Sequence, residues 1–132
     1  MQSIEKLIPS VSSDGRGASI FSVREIELSG SPDWMLSEQQ SALNFRLRSS
    51  SSGYLSDWHV AGDPTLLIIL SGVIELELRS GATKQFSAGE MFIAQDYLIA
   101  QSEFNDSHGH RARVVGKDAL QALHLKLEKQ AR

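Results

Sequence analysis

Alternation with a period of two runs through most of this chain, and no long segment carries a helical period. The stretch "LNFRLR" (43–48) sets Leu43, Phe45 and Leu47 on one face and Asn44, Arg46 and Arg48 on the other. That pattern predicts a strand whose apolar face packs inward and whose arginines are solvated. "VIELELRSG" repeats it, with Ile74, Leu76 and Leu78 inward and Glu75 and Glu77 outward. In "HRARVV", His110, Ala112 and Val114 share one side and Arg111 and Arg113 the other. The last strand, "ALQALHLKL", is expected to pack Leu123, Leu125 and Leu127 while His124 points away to the surface. "TLLIIL" is apolar on both faces, as a strand covered on both sides would be.

Two further segments extend the pattern. "ASIFSVREIEL" is β-rich, but its apolar parity changes between Phe21 and Val23 and the later Ile26 and Leu28, which predicts a bulge near Arg24. "YLSDWHVA" is expected to begin a strand that puts Asp57, His59 and Ala61 on one face. Turn signals separate these runs, among them "SGSPDW", Ser80-Gly81 and Gly116-Lys117-Asp118. "YLIAQSEFNDSHG" has no period and reads as a long loop over residues 97–108. Short strands with regular turns mean an all-β sandwich or barrel. The expected organisation is an irregular N-terminal arm over 1–17, a barrel domain over 18–128 and a C-terminal tail over 129–132.

Composition narrows the classes. At 132 residues, one domain with a sizeable core is the natural reading. A formal charge of −3, with scattered lysines and arginines, argues against a nucleic-acid partner. There are no cysteines, so neither disulfides nor thiolate metal sites enter the argument. The N-terminus lacks the apolar stretch of a signal peptide, and the longest apolar run is too short to cross a bilayer. A cytoplasmic protein without membrane association is expected.

Spacing then adds a resemblance. Gly53 is followed by five residues and His59, Thr65 lies six residues on, and Gly72 seven beyond that. This spacing resembles the first motif of the cupins, G-x5-H-x-H-x3,4-E-x6-G, with Ala61 at the second histidine and Thr65 at the glutamate. The second motif, G-x5-P-x-G-x2-H-x3-N, begins at Gly89 in "GEMFIAQD". Gln95 and Tyr97 then occupy its proline and glycine positions, and Ala100 stands where the histidine would fall. His110 arrives ten residues later at the head of a strand, with Val114 at the asparagine position and residues 97–108 as an insertion. "DWHVA", "LSGVIELEL", "SAGEMFIAQD" and "GHRARVVG" together are similar to a subgroup of small single-domain cupins of mostly unassigned function. The resemblance covers about residues 43–128 and implies a cupin-like jelly-roll β-barrel, a single domain with an N-terminal arm.

Such a barrel implies that His59 and His110 point into its mouth. With Asp57, one pleat from His59, as a substitute third ligand, they form a candidate site for a divalent metal: iron, zinc, nickel or manganese. Asp96, Glu103 and His108 are further candidate ligands, and His108 and His110 form an H-x-H pair. Without a metal, Asp57 could orient His59 as a general base, making these two the candidate catalytic residues. Thr65, Gln95 and Tyr97, with His59 and His110, are the candidate contacts for a small polar ligand. Two classes stay open: a module binding a small molecule over a degenerate metal site, and a metal-dependent enzyme of oxygenase, isomerase or lyase type. A homodimer is expected, with the arginine faces or the apolar residues of 18–28 as contacts.

Overall fold

A computed structural model describes residues 2–100 and 102–129, and all regular structure among them is β. The chain opens with a long hairpin of β1 (Gln2–Ser13) and β2 (Ser19–Ser31), followed by the short β3 (Trp34–Leu36). Then come β4 (Ala42–Ser50), β5 (Thr65–Ser71), β6 (Val73–Leu78), β7 (Thr83–Ser87) and β8 (Met91–Ala94). β9 (His110–Val115) and β10 (Leu120–Leu127) complete the order. One sheet of seven strands runs β3-β2-β1-β8-β5-β10-β4, and a second runs β7-β6-β9.

Two expectations for the N-terminal part are corrected here. Most of the arm is ordered as β1, which pairs with β2 without a break from Gln2↔Gly30 to Ser13↔Ser19. There is consequently no bulge at Arg24, which faces Ile8 within an unbroken register. The parity change has another cause: Val11 and its partner Phe21 face the core, while Ile26 and Leu28 lie on the other face of the hairpin with the buried Ile8. Ile26 and Leu28 are half-buried there, whereas Val23, of the other parity, is exposed. The expected tail over 129–132 lies outside the described residues from 130 onward.

The core fills the space between the two sheets. Ile69, Ile74, Leu76, Phe86, Phe92, Val114 and Leu120 are among its buried members, and the rings of Phe86 and Phe92 lie 4.6 Å apart. Burial of each such side chain contributes roughly 1.5–3 kcal/mol. β6 and β9 behave as their alternation predicts. Ile74, Leu76 and Leu78 are buried with Ala112 and Val114, and the outward faces pair Arg113 with Glu75 (3.2 Å) and Arg111 with Glu77 (2.6 Å).

β4 is inverted relative to expectation, and so is β10 as far as Leu125, whereas Leu127, beyond a register shift, is buried as expected. Leu43, Phe45 and Leu47 are 58, 65 and 74% exposed, while Arg48 and His124 line the interior. The register shows how. His124 stands opposite Arg46 on one side and Leu67 on the other, and Leu67 is a core residue. Leu123 pairs with Leu47 and Leu125 with Phe45, so those four share the outer face.

The two sheets do not close into a continuous barrel. Segment 53–59, expected as a strand, runs beside β9 but is held by isolated bridges at Leu55↔Arg113 and His59↔His110. Between them Ser56 breaks the ladder: its amide bonds the Ala112 carbonyl, and its hydroxyl accepts from the Ala112 amide. The expected loop over 97–108 is present, with no strand between β8 and β9 among its described residues.

Candidate functional site

The site forms where segment 53–59 meets the start of β9. His59 and His110 exchange backbone hydrogen bonds of 2.8 and 2.9 Å, which brings their rings to 4.5 Å between centroids. Gly109 makes this approach possible. It has φ of +85°, and a Cβ there would lie 2.6 Å from the His59 carbonyl oxygen. The same left-handed residue breaks the alternation of the H-x-H pair. His108 turns into the loop, where its Nδ1 accepts a hydrogen bond from the Asn105 amide at 3.0 Å. His110 alone turns inward.

Behind His110 lies Asp96, fully buried. Its Oδ2 accepts from His110 Nδ1 at 2.7 Å and from the Ser19 hydroxyl at 2.6 Å, and its Oδ1 accepts from the Ala61 amide at 2.9 Å. Burial pushes the Asp96 pKa up, but these donors and the neighbouring His110 outweigh it and hold the carboxyl below its usual range. Because the carboxylate only accepts, Nδ1 of His110 carries the proton, and Nε2 is left unprotonated in the neutral ring.

His59 is fixed in the same tautomer by a different partner. Its Nδ1 donates to the backbone carbonyl of Asp57 at 2.8 Å. The expected acid–base pair is thus a histidine on a peptide carbonyl, with the Asp57 carboxylate on the exposed side. His59 is itself exposed at the mouth, yet the atoms crowding its ring lower its pKa through desolvation, against the raising effect of the Asp57 carbonyl.

The interior below these rings is a cavity of about 200 Å³. Leu67, Ile74, Leu76 and Phe92 make its apolar wall, and Arg48, His59, Thr65, His110 and His124 its polar one. Thr65 is therefore where the sequence placed it, although its hydroxyl donates to the Asp63 carbonyl at 3.2 Å. Gln95 and Tyr97 are elsewhere. Gln95 Nε2 donates to the Ser10 hydroxyl, and the Tyr97 amide donates to the Ser13 hydroxyl, so both tie β1 to the end of β8. Glu103 lies exposed in the 97–108 loop. Hollows of about 380 and 280 Å³ also open on the outside near Arg24 and Glu38, but their linings mix charges of both signs without a converging set of donors.

Arg48 and His124 are the interior residues that sequence reasoning missed. Nε2 of His124 is buried and finds no hydrogen-bond partner among the described residues. Desolvation, then the charges of Arg48 and Arg46, lower its pKa. Ser19 was also missed, and nothing distinguishes it in sequence from the chain's other serines. In sequence Arg48 shares its parity with Arg46 and reads as solvated, and alternation alone does not say which side is inside.

A metal needs three protein donors in a catalytic zinc site, or two histidines and a carboxylate for non-haem iron. His59 and His110 each offer one free Nε2, but Asp96 is committed to His110 Nδ1, and Asp57 meets His59 through its backbone. No group of three His, Asp or Glu side chains among the described residues is placed to hold an ion. The donor set does not fit a three-ligand metal.

No protein-family model and no curated relative matches the chain. Solved structures do. The chain is similar to the conserved protein of unknown function SPY1581 from Streptococcus pyogenes, at 20% identity over 76% of this chain and 80% of that one, with a TM-score of 0.50. It is also similar to a cupin-2 domain containing protein from Shewanella frigidimarina, at 16% identity over 64% and 69% of the two chains and a TM-score of 0.46. The Cnp3 cupin domain of Schizosaccharomyces pombe matches at 13% identity over 97% and 89%, with a TM-score of 0.47. The likeness to the SPY1581 protein is one of fold, and the chain shares with it an all-β fold. Within that frame, the chain has a histidine on segment 53–59 and another at the head of β9, and Asp96 links the second, His110, to Ser19 of β2.

Proposed function

We propose that this cupin-like domain binds a small polar molecule in the cavity between its sheets. The observation that supports this reading is the cavity of about 200 Å³, whose apolar wall is met by five polar side chains. Ligand sites are built this way: apolar surface supplies affinity, and a few placed polar groups supply orientation. Binding requires no nucleophile, and no hydroxyl among the described residues is hydrogen-bonded to either mouth histidine. Titration of isotope-labelled protein with small polar compounds tests the reading by NMR. Saturable shifts at Thr65, His59, His110 and His124 support it, and shifts confined to the outer hollows near Arg24 and Glu38 contradict it.

The alternative is a metal-dependent enzyme of oxygenase, isomerase or lyase type, with His59 and His110 completed by a donor from outside the set described above. Elemental analysis separates the two. Near-stoichiometric iron, zinc, nickel or manganese, lost in His59→Ala and His110→Ala, favours the enzyme. A metal-free enzyme remains a variant of this alternative, and the 2.7 Å contact between Asp96 and His110 moves its acid–base pair away from Asp57 and His59. As part of the same reading, the protein is a cytoplasmic homodimer. The exposed apolar face of β4, with Phe45 and Leu47, is offered as the surface that a second copy covers.

A further inference from the structure

We propose that the cavity ligand is a small organic anion, a carboxylate with a short apolar stem and a hydroxyl, whose carboxylate pairs with Arg48. This rests on the binding reading above and adds the ligand's chemical class. Arg48 is partly buried on β4, and no carboxylate of the described residues pairs with it. Its visible partners are the Ser50 hydroxyl, which accepts from Nε at 2.9 Å, and the ring of Tyr54 at 5.9 Å. A guanidinium is charged at any ordinary pH, and removing it from water without a counterion is costly.

The rest of the polar wall offers no compensating charge. His59, His110 and His124 are all bases, and the nearby acid, Asp96, is buried behind His110 rather than lining the cavity. A ligand carboxylate would supply the missing negative charge to the Arg48 fork. His124, in the tautomer protonated at Nε2, would give that buried atom its partner. The Nε2 atoms of His59 and His110 are acceptors in their fixed tautomers, so they suit a ligand hydroxyl. Leu67, Ile74 and Phe92 leave an apolar stretch for the stem. The volume sets the size, because about 200 Å³ is below the roughly 300 Å³ at which pockets for drug-sized molecules begin.

The test is calorimetry and NMR on the full chain with four probes: 3-hydroxybutyrate, butyrate, butyramide and butylamine. The expected result is saturable binding of both carboxylates at the cavity, 3-hydroxybutyrate the tighter, with the neutral amide and the amine at least about tenfold weaker. Arg48→Gln should weaken carboxylate binding by at least about tenfold, and Arg48→Lys by less, because lysine keeps the charge without the fork. Circular dichroism of both variants guards against loss of the fold. If Arg48→Gln does not fold, the carboxylate-over-amide preference of the unaltered protein decides. Equal binding of amide and carboxylate at the cavity overturns the anionic class and leaves the binding reading standing. No cavity shifts with any probe overturns this inference, and the absence of shifts with a broader set of small polar compounds overturns the binding reading too.

Discussion

The two halves of this molecule solve the same packing problem in opposite senses. On β6 and β9 the apolar faces turn inward and the charges outward, where Glu75 and Glu77 meet Arg113 and Arg111. On β4 and the middle of β10 polar side chains turn inward, with Arg48 and His124 in the cavity, and Phe45 and Leu47 face out, although Leu120 and Ala122 of β10 still join the core. The first half is the dry side: it anchors the core that holds the fold together, and its Ile74 and Leu76 also face the cavity as apolar wall. The second leaves room and polarity inside, at the cost of an apolar exterior. The difference teaches that a polar-walled cavity and an exposed apolar face can come from one choice: turning two neighbouring strands over.

Breaking the dry half should cost most. Leu76→Ala removes a fully buried side chain, and we expect about 2–5 kcal/mol less stability, read as a lower urea midpoint. A loss below the range of ordinary surface substitutions would mean that this half is not the core. Asp96→Asn comes next, because it removes the charge that accepts from His110, Ser19 and Ala61. About 1.5–3 kcal/mol is expected, together with altered shifts of the His110 ring.

His124→Leu sharpens the contrast by making the wet half dry. Replacing a ring with an orphaned buried Nε2 by an apolar side chain should raise stability by about 1 kcal/mol while weakening ligand binding. A drop in stability would show that His124 already has a partner. The pH dependence follows the same groups. Burial lowers the His124 and His59 pKa values in the folded state, so the unfolded chain binds protons first on acidification. Stability is therefore full above the ordinary histidine range and falls as pH drops through the lowered folded values. Asp96, also lowered, adds a second loss below the usual carboxylate range. His124→Leu should remove part of the first loss and leave the second, as chemical denaturation across pH would show.

The smallest effect on the fold belongs to the outer face. Leu47 is 74% exposed, so Leu47→Glu should change the stability of the folded chain by no more than about 0.5 kcal/mol. For the proposed dimer its effect should be large, shifting the mass in light scattering from dimer to monomer. A dimer that survives the change would remove this face from the interface.

These contrasts also mark how far the sequence could be read. The strands β4, β5, β6, β9 and β10 were legible because their alternation is strong, and His59 and His110 were legible from their spacing. Alternation fixes which residues share a face, but the inside is set by what the face packs against. Leu43, Phe45 and Leu47 thus read as core although they lie outside. β1 was hidden by its proline and serines and by the glycines just after it, since its order comes from pairing with β2 rather than from its own propensity. Asp96 was visible as a candidate metal ligand. Its role behind His110 depends on Ser19 and Ala61, which no spacing rule connects to it.

The most direct test is which face of β10 meets the core, read from nuclear Overhauser contacts in methyl-labelled protein. Contacts are expected from the His124 ring to Leu67 methyls, with Leu47 methyls near Leu123 and remote from Leu76. Contacts from Leu47 or Leu123 to Leu76, with His124 ring protons free in solvent, would contradict this arrangement and return the charges to the outside.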